Sequence, residues 1–161
     1  MGYSVMVEFP EVEVRDKVLA FLEKNLTPPH KLLGEDVAYV RGPVSDPSYD
    51  RDEAKDRLIG FDFTTSAPPE SRIAYMLCYW MARHVNGTSI WYDGLDKIEI
   101  PESCDEHGFE PLESLEHRQA ALSKNPVYIK MMEIEAREIA ALNEPVRAEL
   151  VRLSELWRQE V

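Results

Sequence analysis

The sequence predicts a single domain of the α/β (α+β) class, in which strands and helices follow one another along the chain. The prediction depends on two changes in the spacing of apolar residues. Ile59, Phe61 and Phe63 recur at every second position, as in a strand with one buried face. From Ile73 onward, apolar residues recur about every 3.6 positions, as on one face of a helix. A strand over residues 89–92 then completes a strand–helix–strand unit.

A similar unit precedes this one in the chain. Tyr3, Val5, Val7 and Phe9 occupy every second position and predict a first strand, which Pro10 ends. The residues between them are Ser4, Met6 and Glu8. The helix that follows has one apolar face, formed by Val14, Val18, Phe21, Leu22 and Leu26. Thr27-Pro28-Pro29 ends this helix, and residues 36–41 form a short second strand. For the helix of the later unit, Thr65 and Ser66 are candidate N-caps.

The resulting order, β-α-β-β-α-β, predicts a ferredoxin-like sandwich, an architecture that carries no function by itself. Asp93-Gly94 predicts a two-residue turn into an extra hairpin strand that ends near Ile100. This turn pairs Tyr92 with Leu95, so the hairpin is apolar on both faces and one of them needs a cover.

The chain divides into three regions in this interpretation. Residues 1–101 form the ferredoxin-like domain, residues 102–125 an acidic connector with a short helix at 113–124, and residues 126–161 a helical C-terminal extension. Pro145 predicts two helices or one kinked helix, with Asn143 as a cap. The last helix carries an apolar stripe, formed by Val146, Leu150, Leu153 and Trp157. We expect it to pack either on the sheet near Trp91 or on a second subunit.

Composition restricts the class of partner. The net charge of −12 disfavours binding to nucleic acids and to anionic membranes. The first residues lack the pattern of a secretory signal, and no apolar run approaches the roughly 20 residues of a membrane span. The two cysteines, Cys78 and Cys104, do not suggest a disulfide framework. We therefore expect a cytoplasmic protein that needs no cofactor.

The leading functional hypothesis is a non-enzymatic protein-binding module, such as an inhibitor, an immunity-type protein or an adaptor. Arg72, Tyr75, Tyr79 and Arg83 share the helix face opposite the predicted core, and Trp157 adds aromatic surface. Tyr, Trp and Arg are enriched at interface hot spots. Self-association through residues 126–161, as a homodimer, is the simplest form of this hypothesis.

A metal-dependent enzyme is the alternative. Glu8 and Asp62 lie on neighbouring predicted strands, opposite their core residues, and Asp93 follows the next strand. Carboxylates placed together on a sheet can hold Mg²⁺. However, the sequence contains no glycine-rich phosphate loop and shows no basic residue beside Asp62.

The remaining signals are weaker. Cys104 and His107 have a spacing that suits Zn²⁺, but no further ligands accompany them. We expect His84 to be a core histidine, and His30 and His117 have no suggestive context. A second alternative function is an acidic mimic that binds a basic protein through loops 46–56 and 102–116. The long polar segment at 42–57 is also a candidate binding loop.

Overall fold

The computed structural model describes residues 2–34, 39–45, 53–65, 70–114 and 124–160. It shows an α+β architecture with a five-stranded antiparallel sheet and a C-terminal helix. The strands are β1 (Tyr3–Glu8), β2 (Val40–Val44), β3 (Leu58–Phe63), β4 (Ser89–Tyr92) and β5 (Asp96–Ile98). Their order across the sheet is β2-β3-β1-β4-β5. The expectation that β1 and β3 are neighbours is confirmed. Residues 36–38 of the predicted second strand lie outside the described residues, and the described strand extends to Val44, beyond the predicted end at Arg41.

The helices are α1 (Val12–Asn25), α2 (Pro29–Leu33), α3 (Glu70–His84) and α4 (Pro126–Glu160). The predicted helices α1 and α3 are present, whereas Pro28-Pro29, predicted only to end α1, also leads into the short helix α2. Proline at the first position of a helix explains why α2 begins there. The caps predicted for α3 extend into residues 66–69, outside the described residues, as does most of the short helix predicted at 113–124. No helix in the described ranges is long and apolar enough to cross a membrane.

The core lies between one face of the sheet and the helices. Val5 and Val7 of β1 and Phe61 of β3 are fully buried there, because alternate residues of a strand face the same side. Phe21 of α1 and Trp80 of α3 complete this core, with ring centroids 6.4 Å apart. The core face predicted for the first and third strands is therefore confirmed, but the expectation of a single buried face is not, because Met6 and Leu58 on the opposite face are buried as well.

The C-terminal helix adds to this core instead of covering the sheet near Trp91. Its buried residues in the core cluster are Val146, Leu150, Leu153 and Trp157. Trp157 packs edge-on against Phe21, with ring centroids 5.0 Å apart, and α4 contacts both α3 and α2. Trp91 belongs to a different cluster. The stripe therefore packs on the domain of its own chain, as one of the two alternatives predicted, but against helices and not on the sheet near Trp91.

Of the two alternatives predicted at Pro145, two helices or one kinked helix, the structure excludes the first. The structure has one helix of 35 residues, with Pro145 inside it and Asn143 buried in its middle instead of capping a second helix. A proline inside a helix removes one backbone hydrogen bond. The packing of Val146 and Leu150 directly after it, both fully buried, offsets that loss.

The β4–β5 hairpin differs from the prediction by one residue in register. Asp93 and Gly94 have the positive φ angles of a tight turn, and the Leu95 N–H donates to the Tyr92 oxygen. However, Tyr92 pairs with Asp96 in the ladder, so Leu95 is an extra residue. The other pairs are Trp91 with Lys97 and Ile90 with Ile98. The hairpin is therefore not apolar on both faces, because its two isoleucines share a side and Lys97 lies beside Trp91.

The sheet face opposite the helices is covered in part by the segment before β3. Met6 and Leu58 are fully buried on this face, and Ala54 packs on them with Trp91 at the edge of the cluster. Within the described residues, this cover comes from the chain around Ala54. Residues 46–52 of the candidate binding loop lie outside the described ranges.

The two edges of the sheet are formed by β2 and β5. Pro43 in β2 has no N–H to offer a further strand. Gly42 beside it touches the core, since a Cβ there would lie 2.2 Å from the Cδ1 atom of Phe61. The other edge strand, β5, has only three residues.

Candidate interaction site

Most of the predicted interaction face of α3 lies under another part of the same chain. We call residues 101–110 the strap. Arg72 donates from Nη2 to Glu110 Oε2 at 2.6 Å, and Arg83 donates to the backbone oxygen of Asp105. Tyr79 is buried. The face therefore binds the strap, and Arg83 is its only residue that stays exposed.

The strap lies very close to α3 at Gly108. This glycine has a φ of +79°, and a Cβ on it would lie 3.0 Å from the Cβ atom of Tyr79. The neighbouring Tyr75 is half-buried, with its ring centroid 6.1 Å from that of Tyr79. Burial, followed by the nearby Tyr92, raises the pKa of Tyr75 to about 12. Burial also raises the pKa of Tyr79, so both tyrosines are neutral at physiological pH.

Asp105 organises the strap. Its Oδ1 atom accepts hydrogen bonds from the backbone N–H groups of His107 and Phe109, both at 2.9 Å. Its Oδ2 atom accepts from Nε of Arg147 in α4, also at 2.9 Å. Burial opposes ionisation of this carboxyl, but the bonds from Arg147 and from the two N–H groups outweigh it and lower the pKa of Asp105. This carboxylate therefore joins the strap to α4.

Two histidines stack where the strap meets the end of α3. The ring centroids of His84 and His107 lie 5.1 Å apart, and the His84 ring also stacks on Trp80. Nε2 of His84 lies 2.6 Å from the backbone oxygen of Glu106, so this nitrogen carries a hydrogen. Burial, and next the adjacent His84, lower the pKa of His107. His84 is thus a satisfied, half-buried histidine.

The zinc hypothesis gains no ligands from the fold. Cys104 is buried and forms no disulfide, and neither does Cys78. Among the described residues, no three His, Cys, Asp or Glu side chains lie close enough together to hold a metal ion. His30 lies beside Tyr39, with ring centroids 5.4 Å apart, and His117 is outside the described residues.

The structure does not bring Glu8, Asp62 and Asp93 together. Glu8 pairs with Leu58 at one end of the β1–β3 ladder, and Asp62 pairs with Ser4 at the other. Four residues of strand separate the two carboxylates, a span of about 13 Å. Asp93 Oδ1 accepts a hydrogen bond from the Ser4 N–H at 2.8 Å, and this bond joins the β4–β5 turn to β1. The register of the ladder therefore keeps Glu8 apart from Asp62.

Asp62 does have a basic neighbour, contrary to the sequence analysis. Arg41 of β2 donates from Nη2 to Asp62 Oδ2 at 2.6 Å. The two residues are direct cross-strand partners. Because they are 21 positions apart in the sequence, only the register of β2 on β3 reveals the pair.

The exposed apolar surface of α4 lies in its N-terminal half, not at Trp157. Trp157 is buried against Phe21, and Lys17 Nζ lies 5.2 Å from the centroid of its ring. The exposed surface is a stripe formed by Val127, Tyr128, Met131 and Ile134, which we call the α4 stripe. These four residues are between 50% and 68% exposed. Their spacing of three or four residues places them on one side of the helix.

Three residues of the α4 stripe, Val127, Met131 and Ile134, point away from the buried Ala136. At about 100° per residue, Ala136 lies roughly 140° around the helix from Met131 and roughly 160° from Ile134. Two exposed charges border the stripe: Lys130, one residue before Met131, and Glu135, one residue after Ile134. Lys130 therefore lies about 100° around the helix from Met131 in one direction, and Glu135 about 100° from Ile134 in the other. The stripe thus has a basic residue on one border and an acidic residue on the other. Such a contiguous apolar patch with a polar border is typical of an interaction site.

Comparison with known proteins gives no independent indication of function. No protein-family model matches this chain, and no curated protein or solved structure matches it either. The functional interpretation therefore depends on the geometry of the chain itself.

Proposed function

We propose that this protein is a non-enzymatic protein-binding module that self-associates through the α4 stripe. The observation that carries the proposal is the exposure of Val127, Tyr128, Met131 and Ile134, four large apolar residues that adjoin one another on α4. Burying four such side chains between two copies removes apolar area from water, which favours association. The surface differs from the one predicted on α3, because the strap occupies that face.

The charges at the borders of the α4 stripe favour a second copy with parallel helices. In a two-fold parallel pair, the basic border of one helix faces the acidic border of the other. Lys130 of each copy then lies beside Glu135 of the other copy. In an antiparallel pair, Lys130 faces the basic border of the second copy instead, which is unfavourable.

The strand order β2-β3-β1-β4 also supports assignment to the ferredoxin-like topology, with β5 as the extra strand. The two buried cysteines, neither in a disulfide, support the cytoplasmic location.

The two alternative functions, the metal-dependent enzyme and the acidic mimic, gain no support from the geometry. Glu8 and Asp62 lie at opposite ends of their ladder. The strap acids Asp105 and Glu110 bind Arg147 and Arg72 of the same chain.

Sedimentation equilibrium over a concentration series tests the proposal with two matched variants. Met131→Lys places a charge in the α4 stripe, and we expect it to weaken dimerisation at least tenfold. Leu95→Lys makes the same kind of change at a residue that is 80% exposed in the β4–β5 turn, and it should have no effect. A wild-type chain that stays monomeric at high concentration, or equal association of all three proteins, contradicts the proposal. Truncation at Asn125 is unsuitable, because it also removes Val146–Trp157 from the core.

A charge reversal tests the parallel arrangement. Lys130→Glu should weaken the dimer several-fold, since an exposed ion pair contributes about 0.2–1 kcal/mol and each dimer contains two of them. Adding Glu135→Lys should restore the affinity. If Lys130→Glu strengthens association instead, the helices are antiparallel.

A further inference from the structure

A cleft opens at the end of the sheet where β1 begins and β3 ends. Its volume is about 320 Å³, at the lower end of the range of about 300–1,000 Å³ that small-molecule sites occupy. Three aromatic residues line it, Tyr3, Tyr39 and Phe63, together with the polar residues Arg41, Asp62 and Thr64. A mostly apolar cleft with a few polar groups is the usual composition of a ligand site.

The aromatic walls differ in how firmly they are held. Tyr3 stacks on Phe63 with ring centroids 5.9 Å apart, and on Tyr92 with centroids 6.2 Å apart, so this wall is packed into the sheet. Tyr39 precedes β2 and is exposed. Its ring is tilted against that of His30. One fixed and one exposed aromatic wall suit a planar ring, because aromatic faces favour offset stacking.

The polar side of the cleft is the pair of Arg41 and Asp62. The Arg41 side chain is 59% exposed, while that of Asp62 is 17% exposed. A guanidinium has five N–H donors, and the bond from Nη2 to Asp62 uses one of them. Asp62 therefore holds the guanidinium in place without exhausting its donors. Arginine presents these donors in a planar fork that matches a carboxylate or a phosphate.

The surroundings of Asp62 favour an anionic ligand over a cationic one. Its Oδ2 atom already binds Arg41. Its Oδ1 atom is buried, without a hydrogen-bond partner in the part of the chain that is described. A ligand ammonium group would compete with Arg41 for Oδ2 and would not reach the buried Oδ1. An anion, in contrast, meets the exposed guanidinium directly.

We propose that this cleft binds a small planar aromatic anion, with the ring between Tyr39 and the Tyr3–Phe63 wall and the carboxylate or phosphate on Arg41. Asp62 is a positioning residue that orients the guanidinium. The site involves β1, β2 and β3 and none of the α4 stripe, so it does not depend on the proposed self-association.

Titration of the full chain by protein NMR tests this site with four probes of one ring size. Benzoate and phenyl phosphate should each saturate, and the tighter of the two identifies the preferred anionic group. Benzyl alcohol, which lacks the charge, should bind at least fivefold more weakly. Tighter binding of benzylamine than of both anions would overturn the proposal, because it would identify a cation site.

Three variants assign the binding to named residues. Arg41→Gln should weaken anion binding about tenfold, as expected for loss of a charge-assisted hydrogen bond. Arg158→Gln, a matched change at an exposed residue in the last turn of α4, should leave binding unchanged. Tyr39→Leu should weaken benzoate more than acetate, since acetate has no ring to stack. Thermal unfolding of each variant reports on its fold. Absence of saturation by both anions, or unchanged affinity in a folded Arg41→Gln chain, would refute the site.

Discussion

Trp80 donates a hydrogen bond from its indole nitrogen to the hydroxyl of Ser154 at 2.8 Å, and this bond joins α3 to α4 inside the core. The same hydroxyl donates to the backbone oxygen of Leu150 at 3.0 Å. Trp80 is fully buried, so its N–H group has no access to water. Ser154 thus satisfies a donor that would otherwise be lost on folding.

Ser154→Ala should lower the free energy of unfolding by about 1–3 kcal/mol, because it leaves the Trp80 N–H buried without an acceptor. Urea unfolding followed by tryptophan fluorescence measures the change. Ser103→Ala, at an exposed serine in the strap, is the matched control and should alter stability little. Equal stability of the two variants would show that the bond does not stabilise the fold.

Gly108→Ala should lower the free energy of unfolding by more than the backbone strain of a positive φ alone. This strain is about 1–2 kcal/mol for alanine at the φ of +79°. The added Cβ would also lie 3.0 Å from the Cβ atom of Tyr79, so the strap must shift on α3. Urea unfolding measures the loss. A loss no greater than the strain alone would mean that the strap moves away from the helix without cost.

His107 should make stability depend on pH in the weakly acidic range. Burial, followed by the charge of His84, lowers the pKa of His107 below the ordinary 6.5. Arg147 lowers this pKa further, whereas Glu106 and Asp105 raise it by less than the total lowering. The unfolded chain therefore binds the proton first, and the free energy of unfolding falls as the pH drops below 6.5. This fall in the free energy of unfolding ends below the lowered pKa.

His107→Gln should reduce the change in melting temperature between pH 8 and pH 5. His30→Gln, at an exposed residue, should leave that change as large as in the wild type. Identical slopes in all three proteins would contradict this role.

Glu149 should contribute stability that is lost in acid. Burial opposes its ionisation, but bonds from Arg152 and from the Thr27 N–H lower its pKa below the ordinary 4.5. The folded state therefore favours the charged form, so its contribution is complete above pH 4.5 and declines as the pH falls through the lowered pKa.

Glu149→Gln should reduce the free energy of unfolding at pH 7 by about 1–3 kcal/mol, because it weakens hydrogen bonds to a buried charged group. The difference from wild type should shrink below pH 4.5. Glu155→Gln, at an exposed residue of the same helix, is the control. A difference that stays constant down to pH 3 would assign the effect to packing instead of charge.

The spacing of apolar residues predicted those strands and helices that are specified by a pattern within their own segment. The alternation at Ile59, Phe61 and Phe63 and the helical repeat from Ile73 correctly placed β3 and α3. The covering of Tyr79 was not predictable in this way, because helical periodicity shows which residues share a face but not what packs on it. The strap has no periodic pattern, and its contacts with α3 join residues distant in the sequence.

In the candidate sites, too, features with helical spacing have a signal in the sequence, whereas contacts between distant segments do not. The Arg41–Asp62 pair requires the register of β2 on β3, which a bulged strand does not reveal. The α4 stripe did have a signal, since Val127, Met131 and Ile134 have helical spacing. We missed it because the stronger stripe that ends at Trp157 suggested the wrong end of the helix. That stripe packs inside the chain.

The outermost strands of the sheet are poor templates for fibril growth. An added strand on β2 would meet Pro43, which has no hydrogen to donate, and β5 offers only three residues, two of them the charged Asp96 and Lys97. Unlimited strand addition from one molecule to the next is therefore disfavoured at both edges of the sheet. If copies of this chain meet, a closed pair joined by helices is the outcome that the sheet leaves open.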